Sequence, residues 1–190
     1  MGRKRRGKPI HGWMVIDKPG TMSSNAVVGM VRRLTGAAKV GHGGTLDPLA
    51  TGLLPLALGE ATKTVSYAMD GTKEYNFTIR WGEQRTTDDT EGDVIDTSDV
   101  RPDESAIRTA LSGFIGMIEQ VPPKFSAIKV NGQRAYALAR ADQPVELQSR
   151  QIQIDAFDLI GMPNTDHAEF KVVSGKGAYM RGLARDLALA

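Results

Sequence analysis

The chain has 190 residues, enough for one compact core, and its 41% hydrophobic and 24% charged residues are ordinary for a globular protein. It contains no cysteine, which excludes disulfides, thiol nucleophiles and thiolate-bound zinc and fits the reducing cytoplasm. Its three histidines are widely spaced and do not suggest a metal site. No apolar run approaches the roughly 18 residues of a membrane-spanning helix, and the basic N-terminus lacks the apolar run of a secretion signal.

The net charge is only +2, but the charges are unevenly distributed along the chain. Basic residues crowd the N-terminus at Arg3, Lys4, Arg5, Arg6 and Lys8, and acidic residues crowd a later segment at Asp88, Asp89, Glu91, Asp93, Asp96 and Asp99. A basic arm over residues 1–11 suits contacts with phosphates, because such contacts release counterions. The same composition is typical of a solvated terminus, so charge alone leaves both interpretations open.

The first part of the chain is predicted to place strands and helices around a glycine-rich loop. In chain order, the pattern predicts a strand, a helix, a loop, a strand and a short helix over residues 12–17, 23–36, 40–52, 53–58 and 60–69. The hydroxyl of Ser23 or Ser24 can cap the first helix, and Gly36 can end it.

The remainder is predicted to alternate strands with single helices. Further strands are expected over residues 73–81, 125–130, 152–159 and 168–172, and further helices over residues 103–114, 135–141 and 178–190. Asp103 can cap the first of these helices, the acidic segment 83–99 is predicted to be a surface loop, and Asn131-Gly132 suits a hairpin turn. The pattern predicts an α+β fold with a mixed, mostly antiparallel central sheet flanked by helices.

The strongest indication of a functional site is the segment 41–52, with the sequence GHGGTLDPLATG. Its four glycines let the backbone approach a ligand closely or adopt positive φ. Pro48 restricts Asp47 to an extended conformation, so the only carboxylate of the segment is presented rigidly, with His42 nearby in sequence. From spacing alone, a glycine-rich turn in which Asp47 only caps backbone amides is an equally acceptable interpretation.

Several familiar site classes match poorly. The loop lacks the Gly-Lys-Ser/Thr ending of a P-loop, and the acidic segment lacks the first and last ligands of an EF-hand. No nucleophile-elbow pattern supports a serine hydrolase. A glycoside hydrolase that uses Asp47 would need a second carboxylate as acid, for which the sequence offers no obvious candidate.

The segment 41–52 resembles the signature of the TruB-type tRNA pseudouridine-55 synthases. The resemblance extends in the same order over roughly residues 12–187, through the motifs at 17–19, 59–63, 73–75, 122–129 and 175–181. It implies the pseudouridine synthase fold and the isomerisation of one uridine in the T-arm of tRNA, without cofactor or metal, by a monomeric cytoplasmic enzyme. Residues 12–190 are then expected to form the catalytic domain. The last helix reaches the final residue without a cap, and a C-terminally truncated chain that lacks the family's RNA-binding domain is expected.

The resemblance also implies which residues act. Asp47 matches the catalytic aspartate, Arg181 the arginine that holds it, and Tyr75 the tyrosine that stacks on the flipped base and helps to remove a proton. Substrate contacts are expected from His42, Gly43, Tyr179, Lys18, Lys63 and Lys176. A carboxylate with a reference pKa of about 3.9 is ionised at neutral pH, but burial would favour its neutral form, so a cation is expected beside it. A non-catalytic module that binds or folds tRNA is the alternative.

Overall fold

The computed structural model describes residues 7–126, 128–130, 133–141 and 147–190. The chain divides into two compact units, Met1–Gly71 and Thr72–Ala190. Most of the predicted basic arm, residues 1–6, and the predicted hairpin turn at 131–132 lie outside the described residues. In the part that the structure describes, no helix has the length and apolar character needed to span a bilayer.

The first unit contains a small antiparallel sheet, in which β3 lies between β1 and β2. Its elements are β1 (Gly12–Lys18), α1 (Ser24–Thr35), β2 (Val40–His42), β3 (Gly52–Leu58), a 3-10 helix (Gly59–Lys63) and α2 (Val65–Asp70). Its core forms where the apolar face of α1 packs against β3, with Val27, Val31, Leu54 and Leu56 all buried. Burial of these side chains is the main source of stability for so small a sheet.

Helix α1 begins and ends where the sequence predicts. The Ser23 hydroxyl accepts a hydrogen bond from the Ala26 amide at 3.2 Å, and Gly36 ends the helix in the left-handed conformation with φ of 70°. The first described residues bind to this end of the helix, because the Lys8 amide donates to the Gly36 carbonyl at 2.7 Å. Part of the predicted basic arm is therefore paired with the first unit.

Two predictions for the first unit were wrong in detail. The predicted loop 40–52 begins with β2, a three-residue strand whose backbone pairs with the end of β3. The single helix predicted over 60–69 is divided into a 3-10 helix and α2 at Thr64, where the Thr64 amide bonds the Ala61 carbonyl. Short segments with weak hydrophobic periodicity fit a strand as well as a loop, and two short helices as well as one. Tertiary pairing decides which of these forms.

The second unit contains a four-stranded antiparallel sheet in the order β4-β11-β10-β7. Its elements are β4 (Lys73–Arg80), β5 (Glu83–Arg85), β6 (Val94–Thr97), α3 (Glu104–Leu111), a 3-10 helix (Ser112–Phe114), β7 (Gly116–Gln120), β8 (Lys129–Val130), β9 (Gln133–Arg134), α4 (Ala135–Arg140), β10 (Arg150–Asn164), β11 (His167–Ser174) and α5 (Met180–Leu189). All ladders between these described strands are antiparallel, where the sequence predicted a mixed, mostly antiparallel sheet.

The core of this unit follows from the predicted period-two patterns. Phe77, Phe157 and Phe170 form an aromatic cluster with ring centroids 5.5–5.9 Å apart. The buried side chains Leu183 of α5 and Ile107 of α3 belong to the same core. Asp103 caps α3 as predicted, since its carboxylate accepts from the Ala106 amide at 2.8 Å.

The sequence pattern missed three strands of the second unit. The predicted surface loop 83–99 contains β5 and β6, which pair as a two-stranded ladder. Strand β7 was not predicted, and the strand expected over 125–130 is reduced to the two residues of β8. β6 is exposed along its whole length and β7 on alternate residues, and such strands carry little of the hydrophobic signal on which prediction depends.

Candidate active site

Asp47 lies in the loop between β2 and β3 of the first unit. Its carbonyl accepts a hydrogen bond from the Ala50 amide at 3.1 Å, which closes a turn over residues 47–50, and the residue itself is partly exposed. The only carboxylate of the loop therefore belongs to the first residue of a hydrogen-bonded turn.

The peptide before Asp47 is held by Ser24. The Ser24 hydroxyl donates to the Leu46 carbonyl and accepts from the Leu46 amide, both at 3.0 Å. Ser24 is buried, and the Leu46 side chain packs against the core of the first unit. The sequence offered Ser23 and Ser24 as alternative helix caps, and the structure gives the cap to Ser23 and this loop contact to Ser24.

The residue after Asp47, Pro48, is held through its carbonyl by Lys18. This side chain is fully buried, and its ammonium donates to the carbonyls of Pro19 at 2.8 Å, Met22 at 2.7 Å and Pro48 at 3.1 Å. Burial lowers the pKa of Lys18 below its ordinary value of 10.5, while electrostatic attraction to the Asp47 carboxylate raises it. A cation that interacts with Asp47 is therefore present within the first unit, and sequence reasoning had assigned that place to Arg181.

Gly43 lies in a closely packed position. Its amide donates to the Pro55 carbonyl at 2.8 Å, and a Cβ at this position would lie 3.2 Å from Ala68 Cβ, 3.3 Å from Pro55 Cγ and 3.5 Å from Trp13 Cζ3. Interiors at this density tolerate little added volume. The contact of Gly43 with substrate remains a prediction. The packing is a separate, structural reason for a glycine at this position.

The two other predicted residues of the first unit lie on different elements. His42 is the last residue of β2, is paired with Leu56 of β3 and is partly exposed. Lys63 ends the 3-10 helix and forms an ion pair with Glu60, and its side chain is 72% exposed. An ion pair this open to solvent contributes little to stability, which leaves Lys63 accessible for the predicted RNA contact.

Arg181 lies in the first turn of α5 in the second unit, and its side chain is only 12% exposed. One guanidinium nitrogen donates to the Thr87 carbonyl at 2.9 Å and lies 3.4 Å from a carboxylate oxygen of Asp89, while the other donates to the Phe125 carbonyl at 3.0 Å. These three partners fix the plane of the guanidinium, so its positive charge has a fixed orientation.

Arg185 binds the same acidic segment one turn later. Its guanidinium donates to Asp88 at 3.0 Å, to the Val121 carbonyl at 2.7 Å and to Asp186 at 2.8 Å. Burial raises the pKa of the Asp88 carboxyl, and Arg185 opposes this rise. The segment 83–99 was predicted to be a surface loop, but arginines four residues apart on one helix face bind its Asp88 and Asp89.

Tyr179 precedes α5 and is held by Gln120, the last residue of β7. The buried Gln120 amide donates to the Tyr179 carbonyl at 3.0 Å and accepts from the Tyr179 amide at 2.9 Å. The guanidinium carbon of Arg150 lies 5.0 Å from the centroid of the Tyr179 ring, at cation–π distance. Sequence reasoning missed Gln120 and Arg150, because each contacts Tyr179 from a distant part of the chain.

Tyr75 and Lys176 complete the predicted set. Tyr75 lies on β4 opposite Val172 of β11 and is partly exposed, and Lys176 lies exposed in the connection between β11 and α5. The structure thus divides the predicted residues between its units, with Lys18, His42, Gly43, Asp47 and Lys63 in the first and Tyr75, Lys176, Tyr179 and Arg181 in the second. Among the described residues, no three His, Asp or Glu side chains are grouped so that they could hold a metal ion.

Comparison with known proteins gives one consistent result. Residues 32–180 match the family described as TruB family pseudouridylate synthase (N terminal domain). The chain is 64% identical over 190 residues to a tRNA pseudouridine synthase B of Rhodospirillum rubrum, and 61% identical over 188 residues to that of Gluconacetobacter diazotrophicus. The first alignment spans 100% of this chain and 62% of the relative's length. The second spans 99% of this chain and 61% of the relative's length.

Two solved structures are similar in fold. A chain of a Cbf5–Nop10–Gar1 complex superposes with a TM-score of 0.70 at 27% identity, covering 94% of this chain and 44% of that one. A chain of an archaeal box H/ACA Nop10–Cbf5 complex superposes with a TM-score of 0.66 at 23% identity, covering 100% of this chain and 49% of that one. The second likeness is one of fold alone.

Proposed function

The chain belongs to the TruB family of pseudouridylate synthases, and from this premise we propose that it carries the catalytic domain of an enzyme that isomerises uridine 55 in the T-arm of tRNA. The observation that carries the proposal is the loop at Asp47, where one partly exposed carboxylate lies between two peptides anchored by buried side chains. Such rigidity is what a nucleophile needs and what a solvated loop lacks. The relatives named tRNA pseudouridine synthase B support tRNA as the substrate.

The reaction breaks the N1–C1′ bond of uridine, joins C5 of the base to C1′, removes the hydrogen from C5 and places a proton on N1. Substrate and product have the same atoms, so no redox or group-transfer cofactor is needed. In the proposed mechanism the Asp47 carboxylate forms a covalent bond either with C1′ of the sugar as N1 leaves, or with the base by addition to its C5–C6 double bond. The bond to Asp47 breaks again before the product leaves. The electrostatic interaction of Asp47 with Lys18 shows that a positive charge lies near the attacking group.

Arg181 is proposed to hold the Asp47 carboxylate during the reaction. Its guanidinium is mostly buried and oriented by the Thr87 and Phe125 carbonyls and by Asp89, which supports a role in presenting fixed positive charge. A preoriented cation stabilises developing negative charge without rearranging at the moment of reaction.

The target base must leave its stack to expose the glycosidic bond, which costs a few kcal/mol. Tyr75 is proposed to stack on the extracted base and assist removal of the C5 proton, with Tyr179 supporting the pocket. His42 is proposed to occupy the space left in the RNA, while Gly43, Lys63 and Lys176 contact the base or the phosphates. The enzyme is further proposed to be monomeric and cytoplasmic.

Incubating the chain with a T-arm stem–loop that carries tritium at uridine C5 tests the proposal, because tritium leaves only when C5 loses its hydrogen. The protein is held in excess over the RNA, so that weak affinity does not conceal chemistry. The proposal predicts tritium release and pseudouridine at the position of uridine 55 alone. Binding of the stem–loop without release would instead identify a non-catalytic tRNA-binding or tRNA-folding module.

A further inference from the structure

Two adjacent serines at the start of α1 have different partners. Ser23 caps the helix through the Ala26 amide, whereas Ser24, the first helical residue, turns its hydroxyl away to Leu46, 22 positions further along the chain. Ser24 is 2% exposed, so its hydroxyl is withdrawn from water and depends on this one partner residue. A helix cap alone would not require the second serine.

The geometry at Leu46 is that of an anchor. One hydroxyl both donates to the carbonyl and accepts from the amide of the same residue, which fixes the orientation of the two peptide groups that flank its Cα. The Leu46 side chain packs against the buried cluster that contains Val27 and Leu56. Backbone and side chain of Leu46 are therefore both attached to the body of the first unit.

Asp47 thus lies between two attached neighbours. Leu46 is held by Ser24 from one side, and the Pro48 carbonyl accepts from the buried Lys18 ammonium on the other. The turn closed by Ala50 shortens the remaining chain. With both flanking residues fixed, the Cα of Asp47 has little freedom, and the position of its carboxylate is set by elements outside the loop.

We infer that Ser24 is a positioning residue for Asp47, acting through the Leu46 peptide, and this inference rests on the proposed role of Asp47 as nucleophile. A displacement of about 1 Å at a reacting group can reduce a rate by about a hundredfold. Removing the Ser24 hydroxyl releases one of the two anchors and leaves the Leu46 amide and carbonyl without that partner, so the loop shifts or samples several positions.

The chain supplies its own matched control, since Ser23→Ala makes the same chemical change one residue earlier. Single-turnover tritium release from the T-arm stem–loop is measured for the unsubstituted chain, Ser24→Ala, Ser24→Thr and Ser23→Ala. We expect Ser24→Ala to reduce the rate constant by about 10–100-fold, as for misplacement of a reacting group, with RNA affinity unchanged. Ser23→Ala should retain the rate, and Ser24→Thr, which keeps a hydroxyl on the same carbon, should restore most of it.

Native-state hydrogen exchange at the Leu46 amide provides a readout independent of activity. Exchange at Leu46 should accelerate in Ser24→Ala and not in Ser23→Ala, while the Gly43 amide, which donates to the Pro55 carbonyl, should stay protected in both. Loss of protection at both amides would indicate general unfolding rather than release of one anchor, and would count against the inference.

The outcomes separate the inference from the function on which it rests. If the unsubstituted chain is active and Ser24→Ala reacts as fast as Ser23→Ala, the positioning role is refuted. The proposed function is not affected by that result. A folded Ser24→Thr variant as slow as Ser24→Ala also refutes the positioning role. An unsubstituted chain that binds the stem–loop but releases no tritium refutes the proposed function, and the inference falls with it.

Discussion

The side-chain amide of Gln120 exchanges two hydrogen bonds with the backbone of Tyr179, one donated and one accepted, at 3.0 and 2.9 Å. Both partners belong to the second unit, where β7 ends and α5 is about to begin. This contact sets the entry of the helix that carries Arg181, so a residue that sequence reasoning overlooked determines the placement of two residues that it selected. The Gly182 backbone leaves room for it, since a Cβ there would lie 2.9 Å from Gln120 Nε2.

Replacing Gln120 with methionine should lower the free energy of unfolding by about 2–4 kcal/mol, because two backbone groups of Tyr179 lose their buried partners. Urea unfolding followed by circular dichroism measures the change. Gln151→Met is the control, since Gln151 is exposed on the neighbouring strand β10 and its replacement should cost less than about 0.5 kcal/mol. Equal effects of the two substitutions would contradict the role given to Gln120.

Gly43→Ala should lower the free energy of unfolding by about 1–3 kcal/mol, the usual effect of overpacking. The added methyl would lie 3.2 Å from Ala68 and 3.3 Å from Pro55, closer than ordinary contacts. Gly41→Ala is the matched control, because a Cβ at Gly41 has no heavy atom within 4 Å, and it should change stability by less than about 0.5 kcal/mol. A Gly43→Ala protein as stable as Gly41→Ala would show that the loop adjusts freely.

The pH dependence of stability should carry a contribution from Asp88. Burial raises the pKa of its carboxyl above the ordinary value of 3.8, so the folded protein binds this proton more tightly than the unfolded chain does. The resulting stabilisation is fully present below the unfolded value and is lost as the pH rises through the folded pKa. We therefore expect the stability of the unsubstituted chain, relative to Asp88→Asn, to decrease with rising pH across this window.

Urea unfolding of both proteins at several values between about pH 3 and pH 7 measures this difference. The Asn variant does not titrate at this position, and the attraction between Arg185 and the ionised Asp88 carboxylate is already included in the net direction of the pKa shift. A difference that is flat would mean that Arg185 cancels the effect of burial at Asp88, and one that grows with pH would mean that Arg185 outweighs it. Either result would contradict the prediction.

The sequence predicted features that arise within single segments. A cap at Ser23 or Ser24, the stop at Gly36, the cap at Asp103 and the alternation along β4 were predicted and are confirmed, with Ser23 as the cap. The α+β class with antiparallel pairing and the pseudouridine synthase fold are confirmed as well. These features follow from local backbone geometry and from the helical and the alternating, strand-like spacing of buried hydrophobic residues.

What the sequence did not predict depends on contacts between distant segments. The acidic run 88–99 gave no sign that Arg181 and Arg185 would bind its first two carboxylates. Lys18 was expected to contact substrate like other basic residues of the motifs, yet it is buried with three carbonyl acceptors. Burial of a lysine is rare and depends on partners that no local pattern specifies.

The most direct test of the whole account replaces the proposed nucleophile. Single-turnover tritium release from the T-arm stem–loop is compared for the unsubstituted chain, Asp47→Asn and Asp99→Asn, the last making the same change at an exposed aspartate outside the proposed site. Asp47→Asn should reduce the rate by more than about a thousandfold, as loss of a nucleophile does, while both variants bind RNA as the unsubstituted chain does. An Asp47→Asn protein that releases tritium at the rate of Asp99→Asn would contradict the account.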